Sequence, residues 1–180
     1  MFNTNDKRNC DNRGIFTDTT VGGFLTTYNY NIDTIISKEL LLDTISDRFF
    51  GLIEVEDGYI FAGSVDSSRN AYTYPDTVYN KILLLKTNNS GNRIWAKTFS
   101  FGNLNDGCYS SGYRLVQCFD KGFIVTGITY DLGTTSRNLI LKTDSLGNQE
   151  WVRFYGSSVY NNPAFTDIIA THDSCYVVCG

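Results

Sequence analysis

Short apolar runs broken by Gly- and Asx-rich turns recur along this chain, and they recur in register. Lys81-Ile82-Leu83-Leu84-Leu85-Lys86-Thr87 returns as Asn138-Leu139-Ile140-Leu141-Lys142-Thr143, with Lys86 and Lys142 separated by 56 residues. The links Asn88-Asn89-Ser90-Gly91-Asn92 and Asp144-Ser145-Leu146-Gly147-Asn148 follow, and then Trp95-Ala96-Lys97 and Trp151-Val152-Arg153 at the same offset. Gly takes positive φ freely and Asn or Asp tolerates it, so each link predicts a β-hairpin. A second hairpin pattern occurs three times without a gap, over Gly51–Gly63, Leu115–Gly127 and Ile168–Gly180. It reads as a short strand, an acidic turn, an aromatic, two apolar residues, a small residue and Gly. Each unit therefore holds four short strands, a, b, c and d in chain order.

The central strands are apolar at consecutive positions, as in Ile82-Leu83-Leu84-Leu85. Alternate side chains of a strand point to opposite faces, so both faces of such a sheet need cover. Burying one Leu or Ile contributes roughly 1.5–3 kcal/mol, and a bare face forfeits several such terms. Four-stranded sheets that need cover on both sides and repeat in tandem are satisfied by radial stacking, as in a β-propeller. Strand d differs: Trp95, Lys97 and Phe99 share one face, as do Trp151, Arg153 and Tyr155. A cation between aromatics fits an outer strand whose charged head reaches water while its stem covers the rings.

The predicted fold is all-β, a partial β-propeller of four-stranded antiparallel blades with a period of about 56 residues. Its parts are a degenerate partial blade over residues 1–48, blades over 49–112 and 113–156, and a partial blade over 157–180. Complete sheets are expected over about 50–99 and 113–155, stacked face to face. In the faded first copy, Gly22–Thr27 resembles the start of strand b and Ile36–Leu40 falls at strand d. Ile32, Ile35, Ile36 and Leu40 also have helical spacing, but the strand reading agrees in register with the better copies. Even about four blades, the smallest usual propeller, exceed 180 residues. The sequence accordingly reads as a piece of a longer reading frame, with surfaces such as Ile168, Ile169, Val177 and Val178 left for missing repeats or for oligomers.

Candidate chemistry adds little to this picture. The five cysteines, Cys10, Cys108, Cys118, Cys175 and Cys179, are odd in number and do not follow the repeat. They read as small buried thiols rather than a disulfide framework. Cys175 and Cys179 on one strand would lie about 13 Å apart by the strand rise, too far to share a tetrahedral ion. A Cys118–Cys175 or Cys118–Cys179 bridge would require an oxidising compartment. His172, the only histidine, reads as a turn residue and leaves no His cluster for a metal. There is no Gly-x-Ser-x-Gly and no phosphate loop opening a helix. Asn105-Asp106-Gly107 and Asp131-Leu132-Gly133 read as turns rather than calcium loops, because neither carries a carboxylate ladder. No catalytic, cofactor-binding or metal residue is assigned, and no cofactor is expected. The charge of −4 and pI near 4.9 give no basic stripe, which argues against a nucleic-acid partner. No apolar run approaches the roughly 20 residues of a membrane-spanning helix.

The series Asp57-Gly58-Tyr59-Ile60-Phe61-Ala62-Gly63, Ile82–Thr87, Gly91-Asn92 and Trp95-x-Lys97-x-Phe99 resembles the secreted β-propeller repeats of Bacteroidetes-type bacteria. The resemblance covers residues from about Phe50 to Gly180 and, weakly, from Gly22. The first copy departs from it by lacking the Trp, and Cys175 stands where Gly58 and Gly122 stand. It implies an extracellular or cell-surface location and a non-catalytic scaffold or binding module, with an unidentified protein or glycan as ligand. The variable connections, Val65–Asn80 and Ile128–Arg137 between strands b and c, and Ser100–Gly112 and Gly156–Thr166 between d and a, suit such contacts. The alternative is part of a propeller enzyme acting on glycans or peptides, with Asp66, Asp76, Asp106, Asp131 and Asp167 available as loop carboxylates.

Overall fold

A computed structural model describes residues 23–28, 34–40, 46–66, 80–101, 108–131, 136–158 and 165–180. Twelve strands, with no helix among the described residues, make the protein all-β. The first two, β1 (Gly23–Tyr28) and β2 (Thr34–Leu40), pair as a hairpin. Then come β3 (Ser46–Val55), β4 (Gly58–Asp66), β5 (Asn80–Asn88) and β6 (Arg93–Phe99), each antiparallel to the next. The same meander follows in β7 (Cys108–Gln117), β8 (Phe123–Asp131), β9 (Ser136–Thr143) and β10 (Gln149–Ser158). The last hairpin joins β11 (Asp167–Ala170) to β12 (Tyr176–Cys179). A single parallel bridge, Asn80↔Tyr109, links the two meanders into one open eight-stranded hydrogen-bonded sheet in which β6 branches from β5.

The two meanders face each other across the main core. Ile60, Ala62, Ile82 and Leu84 of the first pack with Leu115, Phe123, Val125, Leu139 and Leu141 of the second. The outer faces are covered too. Phe61 and Leu85 cluster with Leu25 of β1 and Leu40 of β2, while Cys118 and Ile124 cluster with Ile168 of β11. Leu84 and Leu85 thus bury on opposite sides of one sheet, which is why β5 is apolar at consecutive positions. The molecule is a stack of layers, hairpin on meander on meander on hairpin.

The turns form as their residues demand. Asn88 accepts hydrogen bonds on Oδ1 from the amides of Ser90 (3.0 Å) and Asn92 (2.9 Å), and Asp144 does so from Leu146 (2.9 Å) and Asn148 (2.7 Å). Gly91 and Gly147 take φ of 74° and 77°, the left-handed region that glycine reaches without strain.

Three sequence expectations change. Gly23–Tyr28 occupies the place of strand c, not b, because its pairing with β2 reproduces that of β5 with β6 at an offset of 59 residues. Cys175 lies in the turn ahead of β12 instead of on the strand, and both it and Cys179 are exposed; only Cys118 of these three free thiols is buried. The gap-free alignment of the a–b hairpins also fails locally. β3 and β4 close at Val55↔Gly58, whereas β7 and β8 close at Gln117↔Phe123, which leaves a longer turn.

Candidate functional site

Strand direction gives the stack two ends with different chemistry. At one end lie the a–b and c–d turns, built on paired charges. Lys86 binds Asp57 at 2.8 Å, and Lys142 binds Asp120 and Glu150 at 2.8 Å each while donating to the Thr143 carbonyl at 2.9 Å. Glu56, Asp57, Lys86 and Lys121 line a cleft of about 560 Å³ here, with Phe123 also on its wall. The hydrogen bond from Lys86 holds the Asp57 carboxyl below its usual range, and that from Lys142 does the same for Asp120. Burial alone would pull Lys142 down, but its hydrogen bonds to Asp120 and Glu150 outweigh it and raise the ammonium. On the wall of the cleft Asp57 is therefore held as a carboxylate paired with Lys86.

These shifts set a pH dependence. Asp57 and Asp120 are lowered on folding, so their pairs stabilise above the ordinary carboxylate pKa, about 4, and that stability is lost as pH falls through the depressed values. Lys142 is raised, so its share is present below the ordinary lysine pKa, about 10.4, and is lost only as pH rises past the raised value. Asp120 is more than half exposed, so solvent screening limits the term to under about 1 kcal/mol. Melting temperature measured from neutral pH into acid should fall less steeply for Lys142→Met than for the parent. Parallel curves would show that the pair contributes nothing.

The opposite end, where β3, β7 and β11 begin and β6 and β10 finish, is aromatic. Phe101 leaves β6 and is fixed against the second meander. The Thr129 hydroxyl donates to the Phe101 carbonyl, and the Phe101 amide reaches Ser110 Oγ at 3.4 Å. Ser110 and Thr129 are themselves buried and joined at 3.0 Å. The Phe101 ring stacks with Phe99 and meets Phe154 edge-on at 6.0 Å, and the Arg137 guanidinium lies 4.5 Å from the Phe154 ring centre. Tyr109 and Tyr130 pair edge-to-face at 5.4 Å, and Tyr155 and Phe165 at 5.7 Å. Tyr130, Phe154 and Tyr155 each remain about two-fifths exposed. Burial pushes the Tyr130 hydroxyl's pKa up, so it stays a neutral donor and acceptor. The rim offers flat apolar faces beside hydroxyls and a guanidinium, a mixture suited to binding.

The residues singled out in the sequence are scattered. Asp66 and Asp131 end β4 and β8 at the aromatic end, and Asp167 begins β11, where its own carboxylate accepts the Ile168 amide at 2.9 Å. Asp76, Asp106 and Cys10 lie outside the described residues. His172 sits exposed in the β11–β12 turn. Among the described residues no group of His, Cys, Asp and Glu is arranged to hold a metal ion. Nor is any helix there long and apolar enough to cross a membrane. Tyr109, Tyr130, Phe101, Arg137 and Phe165 all fall in the connections flagged for their composition. Phe154 carried no signal, and Tyr155 read with Trp151 and Arg153 as a repeat face of an outer strand.

Trp95 and Trp151 occupy equivalent pairings, Lys86↔Trp95 and Lys142↔Trp151. Their surroundings differ. Trp95 packs towards Phe123 and lies so close to the second meander's turn that a Cβ on Gly147 would sit 2.8 Å from its ring. Lys97 beside it donates to Asn148 at 3.1 Å. Trp151 is exposed, with the Arg153 guanidinium 5.7 Å from its ring.

No family model and no curated protein matches this chain.

Proposed function

We propose that the chain is a β-propeller segment acting as a non-catalytic scaffold or binding module of a secreted or cell-surface bacterial protein. The observation that carries the propeller reading is the taper between the two meanders. At the β3 edge the sheets approach so closely that a Cβ on Gly51 would lie 2.8 Å from the Tyr113 carbonyl oxygen. At the β6 edge the same gap holds the Trp95 indole. Sheets closer at the first strand than at the fourth splay like a fan, which is the packing of blades about an axis. The binding reading follows from the aromatic end, where rings from several strands come together.

Binding of the intact chain to glycan and peptide arrays tests it. We expect retention of one ligand class, and at least a tenfold loss for Tyr130→Ala combined with Phe154→Ala, in line with about 1.4 kcal/mol or more for aromatic anchors. An unchanged affinity in that variant would remove the aromatic end from the site. Hydrolysis of a glycan or peptide that is lost in Asp131→Asn or Asp167→Asn would replace the module reading with the enzyme.

A further inference from the structure

The lysines near the ends of β5 and β9 hold equivalent places and are satisfied unequally. Lys86 pairs with Ile60 on one side and Trp95 on the other, as Lys142 pairs with Ile124 and Trp151. An ammonium has three donors. At Lys142 they meet three acceptors, Asp120 and Glu150 at 2.8 Å each and the Thr143 carbonyl at 2.9 Å. Lys86 pairs with Asp57 at 2.8 Å, its one acceptor among the described residues. The difference traces to one position. In each c–d hairpin the register skips a single residue before the Trp, Glu150 in the second meander and Ile94 in the first. Glu150 places its carboxylate on Lys142, whereas Ile94 carries no acceptor and is 51% exposed. Lys86 is nevertheless largely buried, its side chain 14% exposed. It lines the cleft of about 560 Å³ between the two meanders.

We propose that this cleft binds a small organic carboxylate, whose oxygens take the place at Lys86 that Glu150 takes at Lys142. A largely buried ammonium with donors to spare favours an anion, because a charge-assisted hydrogen bond is about twice as strong as a neutral one. The lining suits an organic molecule better than a bare inorganic ion. Phe123 gives an apolar wall, and Gln117 and Ser145 add neutral hydrogen-bonding groups from the second meander. The volume falls within the roughly 300–1,000 Å³ usual for small-molecule sites. Lys121 lines the cleft as a second cation. Its pair with Glu56 is long, 3.8 Å between two exposed side chains, so it contributes little and gives way to a ligand. Glu56 and Asp57 balance the two lysines, which fits a singly charged ligand and argues against a polyanion. The cleft lies at the opposite end of the stack from the aromatic rim. It rests on neither the propeller nor the binding-module reading.

Propionate, which is the end of a glutamate side chain as a free molecule, is the probe. The intact chain is titrated with sodium propionate in place of sodium chloride at constant ionic strength. The amide NMR signals of Asp57, Lys86 and Lys121 should shift and saturate with a millimolar dissociation constant, within reach of a ligand of so few atoms. Propionamide, the neutral isostere, should bind about tenfold or more weakly, as expected for losing a hydrogen bond between charged groups. Lys86→Met should weaken propionate by a similar factor. Ile94→Glu, a change at an exposed position, builds the arrangement of the second meander into the first and should exclude propionate, while Ile94→Gln leaves it bound. No saturable shift, equal binding of propionamide, or unchanged affinity in Lys86→Met or Ile94→Glu overturns the site. Shifts confined to Lys121 would mark contact with an exposed ammonium only, and overturn it as well.

Discussion

Phe123→Ala is expected to lower unfolding free energy by about 3–5 kcal/mol, the usual cost of deleting a buried phenyl ring. Phe123 is 1% exposed, lies in the core between the two meanders and faces Trp95 with ring centres 6.3 Å apart. Its loss removes a ring contact between β8 and β6 and leaves a cavity beside the indole. Against a typical domain stability of about 5–15 kcal/mol, a loss of this size should be plain in urea denaturation followed by Trp fluorescence. The emission of Trp95 should shift before the main transition if the gap opens locally. A cost under about 1 kcal/mol, typical of surface substitutions, would mean that the two sheets are not held together through this face.

A pair of glycine substitutions separates backbone strain from inter-sheet contact. Gly147 and Gly156 have φ of 77° and 67°, so an alanine at either meets a conformational cost of about 1–2 kcal/mol. A Cβ at Gly156 meets nothing within 4 Å, while one at Gly147 would lie 2.8 Å from the Trp95 ring and 3.1 Å from Lys97 Cγ. Overpacking adds about 1–3 kcal/mol. Gly147→Ala should therefore cost about 2–5 kcal/mol and Gly156→Ala no more than about 2. Adding Trp95→Leu should return Gly147→Ala towards the value at Gly156. Equal costs at both positions in the Trp95 background would show that the turn does not dock on the indole.

The candidate site was half legible beforehand. Tyr109, Tyr130 and Phe165 sit in connections whose composition marked them as contact surfaces. That Phe101 reaches Phe154 across the gap between meanders depends on how Ser110 and Thr129 clamp its backbone, and no local pattern encodes that distance. Lys142 shows the same limit. In sequence it is the end of an apolar run, matched by Lys86. In the fold it is buried beneath two carboxylates, one from the β7–β8 turn and one from β10, whereas Lys86 pairs with Asp57 alone among the described residues.

The sequence alone determined the strand content, the turns and the offset between units, because each is a local matter. Positive φ at Gly91 and Gly147, side-chain caps from Asn88 and Asp144, and apolar residues on both faces of β5 and β9 are properties of short segments. Tertiary structure decided the register of the first copy and which faces are covered. Gly22–Thr27 read as the start of strand b until the register of β1 with β2 made it strand c. Trp95 and Trp151 are indistinguishable in their local sequence, yet one is packed against a neighbouring turn and the other is open to solvent. The physical reason is that a strand's pairing is written into its own pattern, whereas the cover on its faces is supplied by whichever layer the stack places next to it.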